Sequence, residues 1–287
     1  LIPKQYLVIQ QKRHKYRCEK CHGDIQTAPA PPRIKDGSSY SDDMMADVAM
    51  SKYCDLIPIG RYVKMAERSG VPDLPPQSLI ESTHYVADFV RPAHELLKEE
   101  VLSDKVLHAD ETPHRMLEGD KNSNWYLWGF SSTKAAYFEA HDTRSGDVAS
   151  NFLEKSSCEF LMSDIFSGYG KAVRDANNLR ISVNPKRPLI QNIYCNAHAR
   201  RRFKEAKNRF IDEAQFFVDK YKEIYRLEAL AVDKPPEEKL LIRKQMEPYF
   251  EDMKMRAIDL APAFSTKSSI GKAISYFLGN LKEFMAF

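Results

Sequence analysis

The chain has 287 residues, of which 43% are hydrophobic and 11% aromatic, and this composition excludes a disordered tail. Its 43 basic and 40 acidic residues leave a net charge of +3, so a nucleic-acid signal must come from local clusters. No apolar run reaches the ~18 residues of a membrane helix and no signal peptide opens the chain. Five cysteines in a large chain fit a reducing compartment. We therefore expect a cytoplasmic protein of one large domain or two to three ordinary ones.

Residues 1–35 contain a cysteine knuckle followed by a proline-rich segment. Cys18-x-x-Cys21 supplies two of the four ligands that tetrahedral zinc requires, and His14 and His22 are further nitrogen donors nearby. A second knuckle is missing from the sequence. The pattern therefore predicts either part of a zinc finger or an inert pair of thiols, followed by an extended linker.

Residues 36–104 show helical patterns. We expect one helix over residues 38–70 that ends at Gly70, and a second helix that is capped by Ser78 and continues to residue 102. Two helices joined by a short turn are typical of helix-turn-helix DNA-binding regions, although the spacing alone favours an ordinary helical hairpin. Both interpretations remain open.

Residues 105–209 alternate between strand and helix patterns, and residues 210–287 are helical. The predicted order is strand, strand, strand, helix, strand, helix, strand, helix, which indicates an α/β core with a mixed five-stranded sheet. The helical residues that follow predict an all-helical insertion or subdomain. The five predicted strands cover residues 105–111, 124–132, 134–142, 158–164 and 188–197.

Two of these strands are predicted to end in an aspartate, Asp110 in the first and Asp164 in the fourth. If those strands are neighbours, the two carboxylates come close together, and their repulsion favours a divalent cation between them. Mg²⁺ or Mn²⁺ fits carboxylate oxygens, and two such ions about 3.5–4 Å apart support in-line displacement at phosphorus. The alternative is that both strands simply turn into solvated loops.

Two further features follow the fifth predicted strand. Cys195-x-x-His198 has a spacing that suits a shared metal or an orienting hydrogen bond, and equally a buried cysteine beside a helix-capping histidine. A basic helix then predicts contacts with DNA phosphates, against the alternative of a solvated basic face. Its six cations are Arg200, Arg201, Arg202, Lys204, Lys207 and Arg209.

Six segments together resemble, in order, the motifs of one protein family. They are "YRCEKCHG", "SKYCDLIPIGRYVKMAERSGV", "VLHADET", "LMSDIFSGYGKA", "IYCNAHARRRFKEA" and "SSIGKAISYFLGNLKEFMAF". Each is weak alone, but six in register are specific. The chain resembles the insertion-sequence-sixty-six family of bacterial transposases over nearly its whole length.

The resemblance implies a ribonuclease H-like core and a DNA transposase of the Asp-Asp-Glu type, which uses Mg²⁺ or Mn²⁺ as a homo-oligomer on transposon ends and target DNA. Asp110 matches the first acid and Asp164 the second. The family's glutamate follows a "DNN-x-A-E-R" segment that is absent here, and Glu283 does not match it. The first zinc knuckle is also absent. Together with Leu1 as first residue and an uncapped final helix, these departures predict a fragment truncated at both ends.

The expected function is metal-dependent phosphodiester cleavage and strand transfer of an insertion sequence. Two other classes remain open at this point. A catalytically dead DNA-binding remnant would lack a carboxylate-dependent Mn²⁺ site, and a cellular ribonuclease H-like nuclease would not join 3′ ends to a second duplex.

Overall fold

The structure, a computed structural model, describes residues 5–21, 23–116 and 124–286. The chain divides into two compact units, Leu1–Leu96 and Leu97–Phe287. Among the described residues, no helix combines the length and apolar character needed to cross a membrane.

The first unit contains a short antiparallel hairpin and a small helical core. Strands β1 (Lys15–Tyr16) and β2 (Gln26–Thr27) pair with each other. Helices α1 (Asp42–Tyr53) and α2 (Ile59–Arg68) follow, and α3 (Pro76–Ser103) begins in this unit. Their shared core is made by the buried side chains of Val48, Ile59, Tyr62 and Leu79.

The prediction of a single helix over residues 38–70 is wrong. The helix begins after Ser41, whose hydroxyl accepts a hydrogen bond from the N–H of Met44, and it stops at Tyr53. Leu56 then adopts a φ of 57°, and Pro58 precedes α2. Proline lacks an N–H and pushes the residue before it out of the helical region, so the chain cannot continue one helix there.

The sequence predicted the end of α2 correctly but placed the start of α3 at the wrong residue. Gly70 follows α2 with a φ of 87°, a conformation that glycine adopts without strain, so the predicted stop is confirmed. The predicted cap at Ser78 is wrong, because α3 already begins at Pro76. Proline is well suited to a first helical turn, where its missing N–H has no partner to lose.

The second unit is built on a five-stranded mixed sheet, which confirms the predicted α/β core. Its strand order is β5-β4-β3-β6-β7, in which β3, β4 and β5 are antiparallel and β3, β6 and β7 are parallel. Helices α4 (Gly146–Lys155) and α5 (Ser167–Val183) connect the later strands. The strands are β3 (Val106–Arg115), β4 (Asn124–Ser131), β5 (Ala136–His141), β6 (Phe160–Ser163) and β7 (Gln191–Tyr194).

One face of the sheet packs against α4 and α5. Side chains alternate between the two faces of a strand, so Leu107 and Ala109 of β3 point into this core. The rings of Phe130 on β4 and Phe152 on α4 stack with their centroids 3.8 Å apart. The layer is tight because Gly146 lies against Gly168, and a Cβ at residue 146 would come within 2.6 Å of the Gly168 carbonyl oxygen.

A second hydrophobic core joins the helices that follow the sheet. The rings of Phe203 and Phe217 stack within this core with their centroids 4.1 Å apart, and Phe277 and Phe284 are buried in the same core. These elements are α6 (Asn196–Ala206), α7 (Ile211–Ala231), α8 (Pro236–Lys244), α9 (Glu247–Leu260), the 3₁₀ turn Ala261–Ala263, α10 (Ser269–Leu278) and α11 (Leu281–Phe284).

Candidate functional site

The first predicted acid lies inside a strand. β3 continues past Asp110 to Arg115, so the prediction that the strand ends at this carboxylate is wrong. The extension is explained by β4, which pairs with eight of the ten residues of β3, from His108 opposite Ser131 to Arg115 opposite Asn124. Asp164, in contrast, follows β6 directly as predicted.

Strands β3 and β6 are parallel neighbours, and their register brings the two acids to the same level. Val106 pairs with Phe160 and His108 with Met162, so the same register continued by two residues places Asp110 beside Asp164. Neighbouring strands are separated by about 4.8 Å. Both acids line one cavity of about 240 Å³ on the sheet face opposite α4 and α5.

Each of the two carboxylates uses one oxygen for a local hydrogen bond. Asp110 Oδ1 accepts from the N–H of Glu111 at 3.0 Å, and Asp164 Oδ1 accepts from the N–H of Phe166 at 2.9 Å. In the described part of the chain, neither Oδ2 accepts a hydrogen bond. Two anionic oxygens of this kind suit a hard divalent cation, so the donor set fits Mg²⁺ or Mn²⁺.

Glu111 has a buried carboxylate that the sequence reasoning missed. Its side chain is only 1% exposed and points to the opposite face of β3 from Asp110. Arg144 donates to its Oε1 from Nε at 2.8 Å and from Nη2 at 2.5 Å, while the hydroxyl of Tyr169 donates to its Oε2 at 2.6 Å. The alternation of side chains along β3 was the available signal, because it assigns residue 111 to the core face.

Burial and hydrogen bonds determine the protonation states of Arg144 and Tyr169, the two donors to Glu111. The hydrogen bond to Glu111 raises the pKa of Arg144, which therefore stays cationic. Burial raises the pKa of Tyr169, and its hydrogen bond to Glu111 raises it further, so the hydroxyl remains a donor.

Cys195 and His198 lie at the start of α6, and both line the same cavity as the acids. His198 Nδ1 is buried without a hydrogen-bond partner among the described residues. The structure thus brings this pair to the acids, while its role as a metal ligand or orienting group stays a prediction.

Glu283 lies on α11, which contacts β7, and among the described residues it does not complete a metal cluster. Burial raises the pKa of Tyr194 on β7, and the charges of Glu283 and Asp164 raise it further. Across residues 5–21, 23–116 and 124–286, no group of three or more His, Cys, Asp or Glu side chains could hold a metal ion.

The predicted basic cluster lies on and just after α6, which starts at the cavity. Arg200 is half-buried and its guanidinium lies over the ring of Tyr225 at 5.5 Å, while that of Arg202 lies over Tyr276 at 4.0 Å. In the described part of the structure, no ion pair neutralises any of the six cations. Five are exposed: Arg201, Arg202, Lys204, Lys207 and Arg209.

Comparison with known protein families indicates the same family as the six sequence motifs. The sequence profile described as "Transposase IS66 family" matches residues 37–287, which includes both acids and the basic helix. The chain belongs to the IS66 transposase family.

Two curated relatives of this IS66-family chain are from Sinorhizobium fredii (strain NBRC 101917 / NGR234). The uncharacterized protein y4hP is 24% identical over 309 aligned residues, which cover 100% of this chain and 54% of y4hP. The uncharacterized protein y4jD is 26% identical over 300 aligned residues, covering 100% of this chain and 57% of y4jD. The chain therefore spans about half the length of the curated relatives it matches.

The cysteine knuckle of this IS66-family chain lies in the hairpin between β1 and β2. Cys18 and Cys21 are exposed, and the backbone N–H of Cys21 donates to the Cys18 sulfur and lowers the pKa of that thiol. Thiolates stabilised in this way suit zinc, but within the described ranges the pair has no third ligand in reach. His22 lies outside the described residues. Zinc binding stays a prediction.

Proposed function

We propose that this IS66-family chain carries the first two carboxylates of a metal-dependent DNA transposase, which cleaves a phosphodiester at an element end and transfers the strand. The observation that carries the proposal is the placement of Asp110 on β3 and of Asp164 directly after the adjacent parallel strand β6, with both residues lining one cavity. The strand order and the mixed pairing of the sheet support a ribonuclease H-like core.

Asp110 and Asp164 would hold the cation through their uncommitted oxygens. The bound Mg²⁺ or Mn²⁺ would supply charge neutralisation at phosphorus and activation of the attacking oxygen. The protein's contribution is positioning, because an acid on β3 and an acid directly after β6 are held by paired neighbouring strands and the reaction needs no covalent enzyme intermediate. Cys195 and His198 border the same cavity and would orient groups at its rim.

The basic cluster of α6 would hold the DNA backbone beside the acids. Its exposed cations have no carboxylate partner within the described residues, and α6 starts at the cavity wall. Phosphate contacts of this kind give affinity and register without reading sequence.

Replacement of either acid tests the assignment. Asp110→Asn and Asp164→Asn remove one anionic ligand each without changing size, so strand transfer by the full-length protein in Mg²⁺ should fall by at least about 1,000-fold, an effect of about 4 kcal/mol. DNA affinity in a gel-shift assay should persist. Asp259→Asn, an exposed acid on α9, is the matched control and should leave both properties unchanged. Strand transfer retained by both variants would refute the proposal.

A second candidate is a DNA-binding protein without catalysis. The unneutralised cations of α6 support this candidate as well as they support a transposase. Mn²⁺ titration followed by electron paramagnetic resonance separates the two. A catalytic chain binds Mn²⁺ in a manner that Asp110→Asn abolishes, whereas a non-catalytic chain binds DNA and shows no such site.

A further inference from the structure

We propose that Glu111, Arg144, Phe166 and Tyr169 form a positioning clamp that fixes Asp110 and Asp164 relative to each other. The inference rests on the proposed function, because it concerns the same pair of acids. None of the four clamp residues belongs to the acid pair itself.

The first half of the clamp holds β3 at Asp110. Glu111 follows Asp110 directly, and its buried carboxylate receives two hydrogen bonds from Arg144 and one from Tyr169. A buried carboxylate that loses its donors is strongly unfavourable, so β3 cannot slide or rotate at this point without breaking charge-assisted bonds. The orientation of Asp110 is therefore tied to the position of its neighbour.

The second half of the clamp holds the turn after β6. The guanidinium of Arg144 lies over the ring of Phe166 at 4.2 Å, and the backbone N–H of Phe166 donates to Asp164 Oδ1. Phe166 also meets Tyr169 edge to face, with ring centroids 6.0 Å apart. One guanidinium thus contacts the residue after Asp110 and the residue that hydrogen-bonds Asp164.

The chemistry of the clamp indicates positioning rather than simple stabilisation. Burying an ion pair costs desolvation, and well-packed apolar side chains would often stabilise a fold as well or better. An Arg–Glu pair with two hydrogen bonds instead fixes distance and angle, which apolar contacts do not. Arg144 remains half-exposed, at 46% of its side-chain surface, while the Glu111 side chain is 1% exposed.

Mn²⁺ affinity measured by electron paramagnetic resonance tests the clamp in the whole chain. Arg144→Lys keeps the charge but loses the paired hydrogen bonds, and Tyr169→Phe removes one donor without changing shape. We expect about tenfold weaker Mn²⁺ binding for Arg144→Lys, and a larger loss for Arg144→Gln that lysine partly restores. Tyr169→Phe should weaken binding several-fold.

The control is Arg243→Lys, which breaks a two-bond Arg–Glu pair between α8 and Glu228 of α7, at 3.0 and 2.5 Å, whose glutamate is more exposed than that of the clamp. The Mn²⁺ affinity of Arg243→Lys should equal that of the unmodified chain. Asp110→Asn marks complete loss of the site.

The outcomes separate the clamp from the proposed function. If Asp110→Asn loses Mn²⁺ but Arg144→Lys and Tyr169→Phe bind it normally, the clamp is overturned and the metal site stands. If Asp110→Asn binds Mn²⁺ as well as the unmodified chain, the metal site itself fails and the clamp with it. Should Arg144→Lys fail to fold, the affinity of Tyr169→Phe decides.

Discussion

Single residues in the second unit illustrate how buried charge is accommodated. Arg180 on α5 is only 2% exposed, and it donates from Nη1 to the carbonyl oxygens of Cys158 at 2.6 Å and Pro188 at 2.8 Å, and from Nη2 to that of Ser156. These carbonyls belong to the segments that enter β6 and β7. Arg180 therefore satisfies the backbone at the strand ends opposite the acids.

Replacing Arg180 should destabilise the fold without touching the acid pair. Arg180→Met leaves the buried carbonyl of Cys158 without its Arg180 donor and removes the hydrogen bond to the carbonyl of Pro188, and we expect a loss of about 2–4 kcal/mol in the free energy of unfolding by urea denaturation. Arg174→Met, an exposed arginine of the same helix, should change it by less than about 0.5 kcal/mol. Equal stability of the two variants would contradict the role assigned to Arg180.

The cysteines should differ sharply in reactivity. Burial raises the pKa of Cys158 to about 11, so this thiol is protonated at pH 8 and should alkylate only on unfolding. Cys18, with its lowered pKa, should alkylate faster than the exposed Cys54 as the pH is raised through neutrality. Mass spectrometry with iodoacetamide measures both rates. Zn²⁺ should protect Cys18 and Cys21 but not Cys54; protection absent at both positions would contradict the zinc prediction.

At the level of elements, periodic patterns within single segments of the sequence predicted which segments form strands and which form helices. The order of five strands and their helices is confirmed, because alternation and helical spacing are local signals. The break between α1 and α2 was missed although Pro58, directly before α2, was a visible signal for the end of a helix. The length of β3 was missed for a different reason: its outer half is an exposed strand held by pairing with β4.

Helix α6 carries the prediction for DNA binding. Changing Arg201, Lys204 and Lys207 to glutamine should weaken binding to any duplex similarly and lower the slope of log affinity against log salt by about 0.9 for each phosphate that the protein no longer neutralises. Fluorescence anisotropy over a range of salt concentrations measures this slope. The control changes three other exposed lysines, Lys155, Lys186 and Lys222. If the control variant loses as much affinity, α6 is a solvated basic face.

At the level of the whole molecule, the site depends on strand pairing, which the local sequence does not encode. Periodicity marked Asp110 and Asp164 as candidates, but their proximity requires β3 and β6 to be parallel neighbours, which the fold supplies. Glu111 was missed because its role depends on Arg144 and Tyr169, which lie 33 and 58 residues away in the chain. Contacts at such separations are set by tertiary packing rather than by local pattern.

The central claim is that the carboxylates of residues 110 and 164 share a divalent cation. Anomalous diffraction from a crystal of this chain soaked in Mn²⁺ tests it most directly. We expect one manganese peak in the cavity, coordinated by an oxygen from each aspartate, which disappears in Asp110→Asn crystals. Manganese bound elsewhere, or the two side chains turned apart with no metal between them, would contradict it.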